Sequence, residues 1–180
     1  PSYLGEKSTL KMGTKMYGGT SIAQHCKVGG EVGNSLIQAY SNKGHDGYLG
    51  NSLIGEWCNL GADTNTSNLK NNYGLIRTYS YLEKAEVQTD QQFMGLTLGD
   101  HSKCGINTMF NTATVVGVSS NIYGGDFPQK FIPSFQWGGS TFVPYQLEKA
   151  IESANNMMKR RGLHMTEADI ALFSFLFDKK

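Results

Sequence analysis

Apolar residues recur at every sixth position of this chain, in three separate runs. Leu4, Leu10, Met16, Ile22 and Val28 form the first, Tyr48, Ile54 and Leu60 the second, and Leu98, Cys104, Phe110, Val116 and Ile122 the third. Four residues after most of these anchors stands a small side chain: Ser8, Thr14, Thr20 and Cys26, then Ser52 and Cys58, then Ser102, Thr108, Thr114 and Ser120. A period of six fits neither the 3.6-residue helix nor the alternation of a simple strand, so a repeat unit generates it. Six residues make one short strand and one turn. The bulky residue fills the interior, the small one fits a corner, and glycine after an anchor, as at Gly55 and Gly61, permits close backbone approach. Stacked turns of this kind form a parallel β-helix, with rungs about 4.8 Å apart.

Breaks in the count predict the remaining elements. Val28 and Tyr48 are two residues further apart than three periods, so an irregular corner is expected within Gly33–Lys43, immediately before His45. The period is lost again over about 65–92, where Thr78–Leu82 and Ala85–Thr89 flank a Glu83-Lys84 turn and predict a protruding hairpin. Asn65, Asn68, Asn71 and Asn72 at its base suit left-handed geometry or turn caps. The coils are expected over 1–125, and 126–144, with Pro128, Pro133 and Pro144, reads as an extended connector. Over 145–180 the pattern turns helical. Leu147, Ala150, Ile151, Ala154, Met157 and Met158 make one stripe, and a second helix starts at Thr166 with a Thr-x-x-Asp cap to Asp169. The fold class is therefore all-β: hexapeptide-repeat coils with an inserted hairpin and a C-terminal two-helix appendage.

Composition narrows the function classes. Glycine is abundant at 22 of 180 residues and the charged fraction is only 17%, which suits a solenoid of many turns rather than a disordered chain. A net charge of +1 gives no nucleic-acid footprint but leaves room for a local phosphate pocket. There is no apolar run long enough to span a bilayer and no signal peptide, so no membrane partner is expected and a cytoplasmic location is. Cys26, Cys58 and Cys104 all fall on repeat positions and read as buried thiols in a reducing compartment. No second pair completes a tetrahedron with His101 and Cys104 or with His25 and Cys26, so no metal site is expected.

The stretch GHDGYLGNSLIGEWCNLGADTNTSN, from Gly44 to Asn68, resembles the acetyltransferase domain of a bifunctional enzyme of UDP-N-acetylglucosamine synthesis. That family joins glucosamine-1-phosphate N-acetyltransferase to N-acetylglucosamine-1-phosphate uridylyltransferase, and the wording is similar to its Bacteroidetes-type sugar nucleotidyltransferase relatives. The resemblance implies a left-handed coil, a homotrimer with sites between subunits, acetyl-CoA as co-substrate and a sugar-phosphate amine as acceptor. It places the catalytic histidine on His45, sugar-phosphate contacts on Tyr48, Asn59, Asn68 and Lys15, and coenzyme contacts on Ala62, Ile106 and Gly124. Leu69, Ile106, Gly33 and the neighbourhood of Phe93 depart from the family pattern, so Lys43, Lys70 or Arg77 would have to complete the phosphate clamp. No GxGTRM-like loop precedes the coils, and an N-terminal nucleotidyltransferase domain is expected to be missing from this chain.

An ammonium sugar cannot attack a thioester until it sheds a proton, and an imidazole, titrating at about 6.5, accepts one at neutral pH. His45 is the candidate. The blander reading of each residue stands beside this one: His45 as a surface histidine, Tyr48 as an interior anchor, Asn59 and Asn68 as turn formers, Lys15 as a solvated charge. The rival for the whole chain is a β-helix that only oligomerises and regulates a nucleotidyltransferase, without acyl chemistry.

Overall fold

The computed structural model describes residues 1–179; Lys180, the last of the expected 145–180 appendage, lies outside them. A left-handed parallel β-helix of three flat faces forms. The first face stacks seven two-residue strands, from Tyr3–Leu4 through Leu36–Ile37 and Leu53–Ile54 to Phe131–Ile132. The second runs from Thr9–Leu10 through Asn42–Lys43, Asn59–Leu60 and Lys103–Cys104 to Gln136–Gly138. The third joins Lys15–Met16, Glu31–Gly33 and Tyr48–Gly50, and is continued by Asn65–Thr66 paired with Met109–Phe110.

Register puts the second residue of each two-residue coil strand inside, as it does Val32 and Leu49 in the three-residue strands of the third face. Leu4, Ile22, Ile37, Ile54, Leu98, Val116 and Ile132 form one interior column, and Met16, Val32 and Leu49 begin another. The anchors of the first and third runs are thus confirmed. The second run needs correction: Leu49, fully buried, fills the interior, and Tyr48 faces outward. The corners are shortened on either side of Val32, while Gly33–Lys43 itself contributes two regular strands. The shortened corner at 34–35 is the irregularity expected within that segment, and a second one, at 29–31, lies before it.

The small-residue slot has a direct hydrogen-bonding cause at the corner between the first and second faces. Ser8 Oγ donates to Ala23 O at 2.6 Å and accepts from Cys26 N at 2.8 Å, one rung on. Ser41 repeats this with Gly55 O and Cys58 N, and Ser102 with Gly117 O and Ser120 N, each at 2.6 to 2.9 Å. Cys26 and Cys58 occupy alternate rungs, with Sγ directed at Gln38 O and Gly99 O. All three cysteines are free and buried, and burial raises the Cys58 thiol to about 12. Ser102→Ala is expected to lower stability by about 1–3 kcal/mol, read by urea denaturation, because it leaves a buried carbonyl and a buried amide without their partner.

Side chains at the same corner form a stacked column. His25, Tyr40, Trp57 and His101 all adopt positive φ, between 57° and 61°, and their rings lie 4.8, 4.2 and 6.2 Å apart in succession. The left-handed backbone costs each of these residues about 1–2 kcal/mol, which stacking and burial offset. Two helices cover the column, α1 (Leu147–Lys159) and α2 (Glu167–Asp178). Thr166 and Asp169 make the expected capping box. Ala150, Ala154, Met158 and Phe173 pack with Trp57 and Phe135. Entering where Tyr145 N meets Phe135 O, α1 runs back down the coils until Arg161 reaches His25 O.

The hairpin forms from Arg77–Ser80 and Ala85–Gln88. It leans on the first face, where Tyr79 stacks on Phe131 at 3.5 Å. Asn65–Thr66, expected inside the insertion, belongs to a coil. The segment 126–144 is also corrected: Phe131–Ile132 and Gln136–Gly138 pair in parallel with Val115–Val116 and Asn121–Ile122, so the solenoid continues through it.

Candidate functional site

The outer slots of the second face carry Thr9, Lys27, Asn42, Asn59, Lys103, Asn121 and Trp137, one per rung. Because helix α1 descends beside this face, a groove of about 790 Å³ opens between them. Asn42, Asn59, Lys27 and Lys103 form its floor, and Asn156, Met157, Arg160 and Arg161 its helical wall. The rim is the corner between the second and third faces, where Lys11, Gly44, His45, Gly61, Ala62 and Ile106 line it.

Gly61 is required at that rim, since a Cβ there would stand 2.4 Å from the Gly105 backbone. His45 is exposed. Lys103 is half-buried, donates to His101 O at 2.8 Å, and its ammonium is pushed below its ordinary range by burial. Asn42 Oδ1 is buried without a hydrogen-bond partner among the described residues. Lys11, Lys27, Lys103, Arg160 and Arg161 bring five cations to a groove whose lining includes no Asp or Glu. Such a surface favours an extended, multiply anionic ligand.

Of the residues singled out in the sequence, His45, Asn59, Ala62 and Ile106 therefore meet in one groove. Gly124 stands at the same corner one rung beyond Ile106, with φ +129°, outside the lining. Tyr48, Asn68 and Lys15 lie around the corner on or beside the third face. Asn68 Nδ2 donates to the Tyr48 hydroxyl at 2.9 Å and to Asn51 Oδ1 at 2.7 Å. Lys15 pairs in register with Glu31, and Glu31 with Tyr48, which places Lys15 two coils from Tyr48.

None of the three substitute clamp cations reaches the groove. Lys43 is an interior residue, 1% exposed; Lys70 donates to Leu75 O; Arg77 pairs with Glu86 on the hairpin at 3.5 Å. The cations that do line it were missed. Lys27 and Lys103 had a readable signal, since each directly precedes an anchor and so occupies an outer slot. Arg160 and Arg161 had none, because only packing brings α1 to this face. His25 and His101 belong to the stacked column, and no group of three His, Cys, Asp or Glu is placed to hold a metal among the described residues.

No protein-family model matches the chain, and no curated protein matches it in sequence. Solved structures do match. One is a point mutant of AntD, an N-acyltransferase from Bacillus cereus, in complex with dTDP and coenzyme A: 15% identity over 88% of this chain and 91% of that one, TM-score 0.59. Another mutant of AntD, in complex with dTDP-4-amino-4,6-dideoxyglucose and coenzyme A, matches at 13% identity over 88% and 90%, TM-score 0.57. At this identity the likeness establishes a shared fold. No helix among the described residues is long and apolar enough to cross a membrane.

Proposed function

We propose that this protein is a coenzyme A-dependent N-acyltransferase that moves an acetyl group from acetyl-CoA to the amine of a phosphorylated amino sugar. The observation that carries the reading is the acid-free cationic groove with His45 on its rim. His45 takes a proton from the sugar ammonium, and the freed nitrogen adds to the thioester carbonyl. The tetrahedral intermediate then collapses with breaking of the C–S bond, the nitrogen shedding its second proton to become the amide and the departing coenzyme thiolate taking up one proton to leave as the thiol. Asn59 on the floor is a donor and acceptor for sugar hydroxyls, Ala62 and Ile106 flank the acyl-bearing arm, and the lysines and arginines face phosphates.

The acceptor is either a sugar 1-phosphate such as glucosamine-1-phosphate or a nucleotide-linked amino sugar. The cation count and the dTDP-amino sugar bound by the AntD mutant favour the second. A homotrimer completes the site in this reading, by bringing Tyr48, Asn68 and Lys15 of one protomer towards the groove of the next. Exposed Tyr17, Leu36 and Leu53 supply apolar contact area for it. Sedimentation at three times the monomer mass is the expected result. The same reading places the protein in the cytoplasm, within nucleotide-sugar synthesis beside a sugar nucleotidyltransferase activity.

Thiol release from acetyl-CoA, measured over a panel of amino-sugar phosphates and nucleotide-linked amino sugars, tests the function. Turnover with at least one acceptor is expected. Absence of turnover together with absence of coenzyme binding by calorimetry would leave the non-catalytic scaffold as the better description. Reversing both wall charges, Arg160→Glu with Arg161→Glu, is expected to weaken coenzyme binding about tenfold at low salt and less at high salt.

A further inference from the structure

The interior column of the second face is occupied by Leu10, Val28, Leu60, Cys104 and Ile122, and between Val28 and Leu60 by Lys43. A buried ammonium in an apolar column is tolerated only when its donors are matched. Lys43 Nζ donates to His45 O at 2.6 Å, to Asp46 O at 3.0 Å and to Gly29 O at 3.5 Å, so three carbonyls meet its three N–H bonds. Two of these acceptors belong to the corner that carries His45. An apolar residue in this slot would leave His45 O without a partner, and Asp46 O with only the bond from Asp63 N at 3.0 Å.

All peptide bonds in the chain are trans, so each carbonyl points opposite to the N–H of the next residue. With the carbonyl of His45 drawn inward onto Lys43 Nζ, the N–H of Asp46 is turned outward, while Asp46 O is shared between Lys43 Nζ and Asp63 N of the next rung, each at 3.0 Å. The Asp46 N–H finds no hydrogen-bond partner among the described residues. Gly47 cannot be anything larger, because at φ +112° its Cβ would overlap Thr64 O. The corner Gly44–Gly47 is thus clamped from within by Lys43, and it presents outward an imidazole and a free backbone donor, the Asp46 N–H.

We propose that Lys43 is a positioning residue: its buried ammonium holds the His45 corner, setting the imidazole at the groove rim and the Asp46 N–H beside it as a donor for the oxyanion of acyl transfer. The proposal deepens the reading of His45 as the base and rests on it for its catalytic consequence. The structural part is separable. In the wild-type protein labelled with ¹⁵N and ¹³C, couplings across the hydrogen bonds from Lys43 Nζ to the carbonyl carbons of His45 and Asp46 are expected; ammonium protons in fast exchange with water would overturn the clamp, whatever the enzyme does.

In Lys43→Met, the His45 imidazole and the Asp46 and Gly47 amide signals are expected to move or broaden, while those of His164 stay. On the reading of His45 as base, kcat falls about ten- to a hundredfold and the dissociation constant of coenzyme A changes less than twofold. Lys43→Arg keeps the charge, but its planar fork does not converge on three carbonyls, and it serves the same measurements where the methionine variant does not fold. An unchanged kcat, or a parallel loss of coenzyme binding, would reject a positioning role. A wild-type protein without transferase activity would remove the proposed function and leave the coupling experiment to decide the clamp.

Discussion

His45→Ala is expected to lower acetyl transfer by at least about a hundredfold, the usual scale for removing a general base. The loss should fall on turnover at saturating substrate, with coenzyme affinity kept, because the cations proposed to hold its phosphates lie elsewhere in the groove. Fold and assembly should survive, since the His45 side chain is exposed and makes no hydrogen bond in the structure; its backbone carbonyl, which Lys43 grips, is retained by alanine. Thiol release at matched protein concentration, with circular dichroism and sedimentation alongside, separates these effects. Turnover within a factor of two of wild type would reject His45 as the base.

The second large effect concerns stability against pH. His101 is buried between Trp57 and Phe173, and its Nδ1 has no partner among the described residues. Burial, reinforced by Lys103 and partly opposed by Asp169, pushes its imidazole from 6.5 down to about 4. The unfolded chain binds a proton there below 6.5, whereas the folded chain does so only near 4. Stability from this residue is therefore complete above 6.5, declines as pH falls through that window, and has lost about 3 kcal/mol below 4. His101→Phe keeps an aromatic ring in the column, and Phe135 shows that phenylalanine accepts the same positive φ at this corner. Urea midpoints from pH 7 to 4 should then lose this slope. An undiminished slope in the variant would show that the acid sensitivity arises elsewhere.

The site was partly legible for a physical reason. His45, then Asn59 with Ala62, then Ile106 lie on three successive rungs of one corner and one face, so residues spread along the sequence become a column when the chain coils. Lys15 and Tyr48 follow the same count but fall on the third face, and no spacing argument separates a residue just before a corner from one just after it. Lys43 shows the limit most clearly. A lysine next to a glycine-rich turn reads as a surface cation, and only the register of Val28 with Lys43 reveals that it points inward.

The sequence by itself determined the solenoid, its hydroxyl-bearing corner, the hairpin and both helices, because each is specified by contacts at fixed spacing. The hexad repeats every rung, the hairpin pairs neighbours, and the caps act within four residues. Tertiary structure alone decided that Leu49 rather than Tyr48 is the anchor, that 131–138 adds a further turn, and that α1 returns to wall a cationic groove. These outcomes depend on how far the corners contract and where a helix comes to rest, which are set by packing summed over many rungs and are encoded at no single spacing.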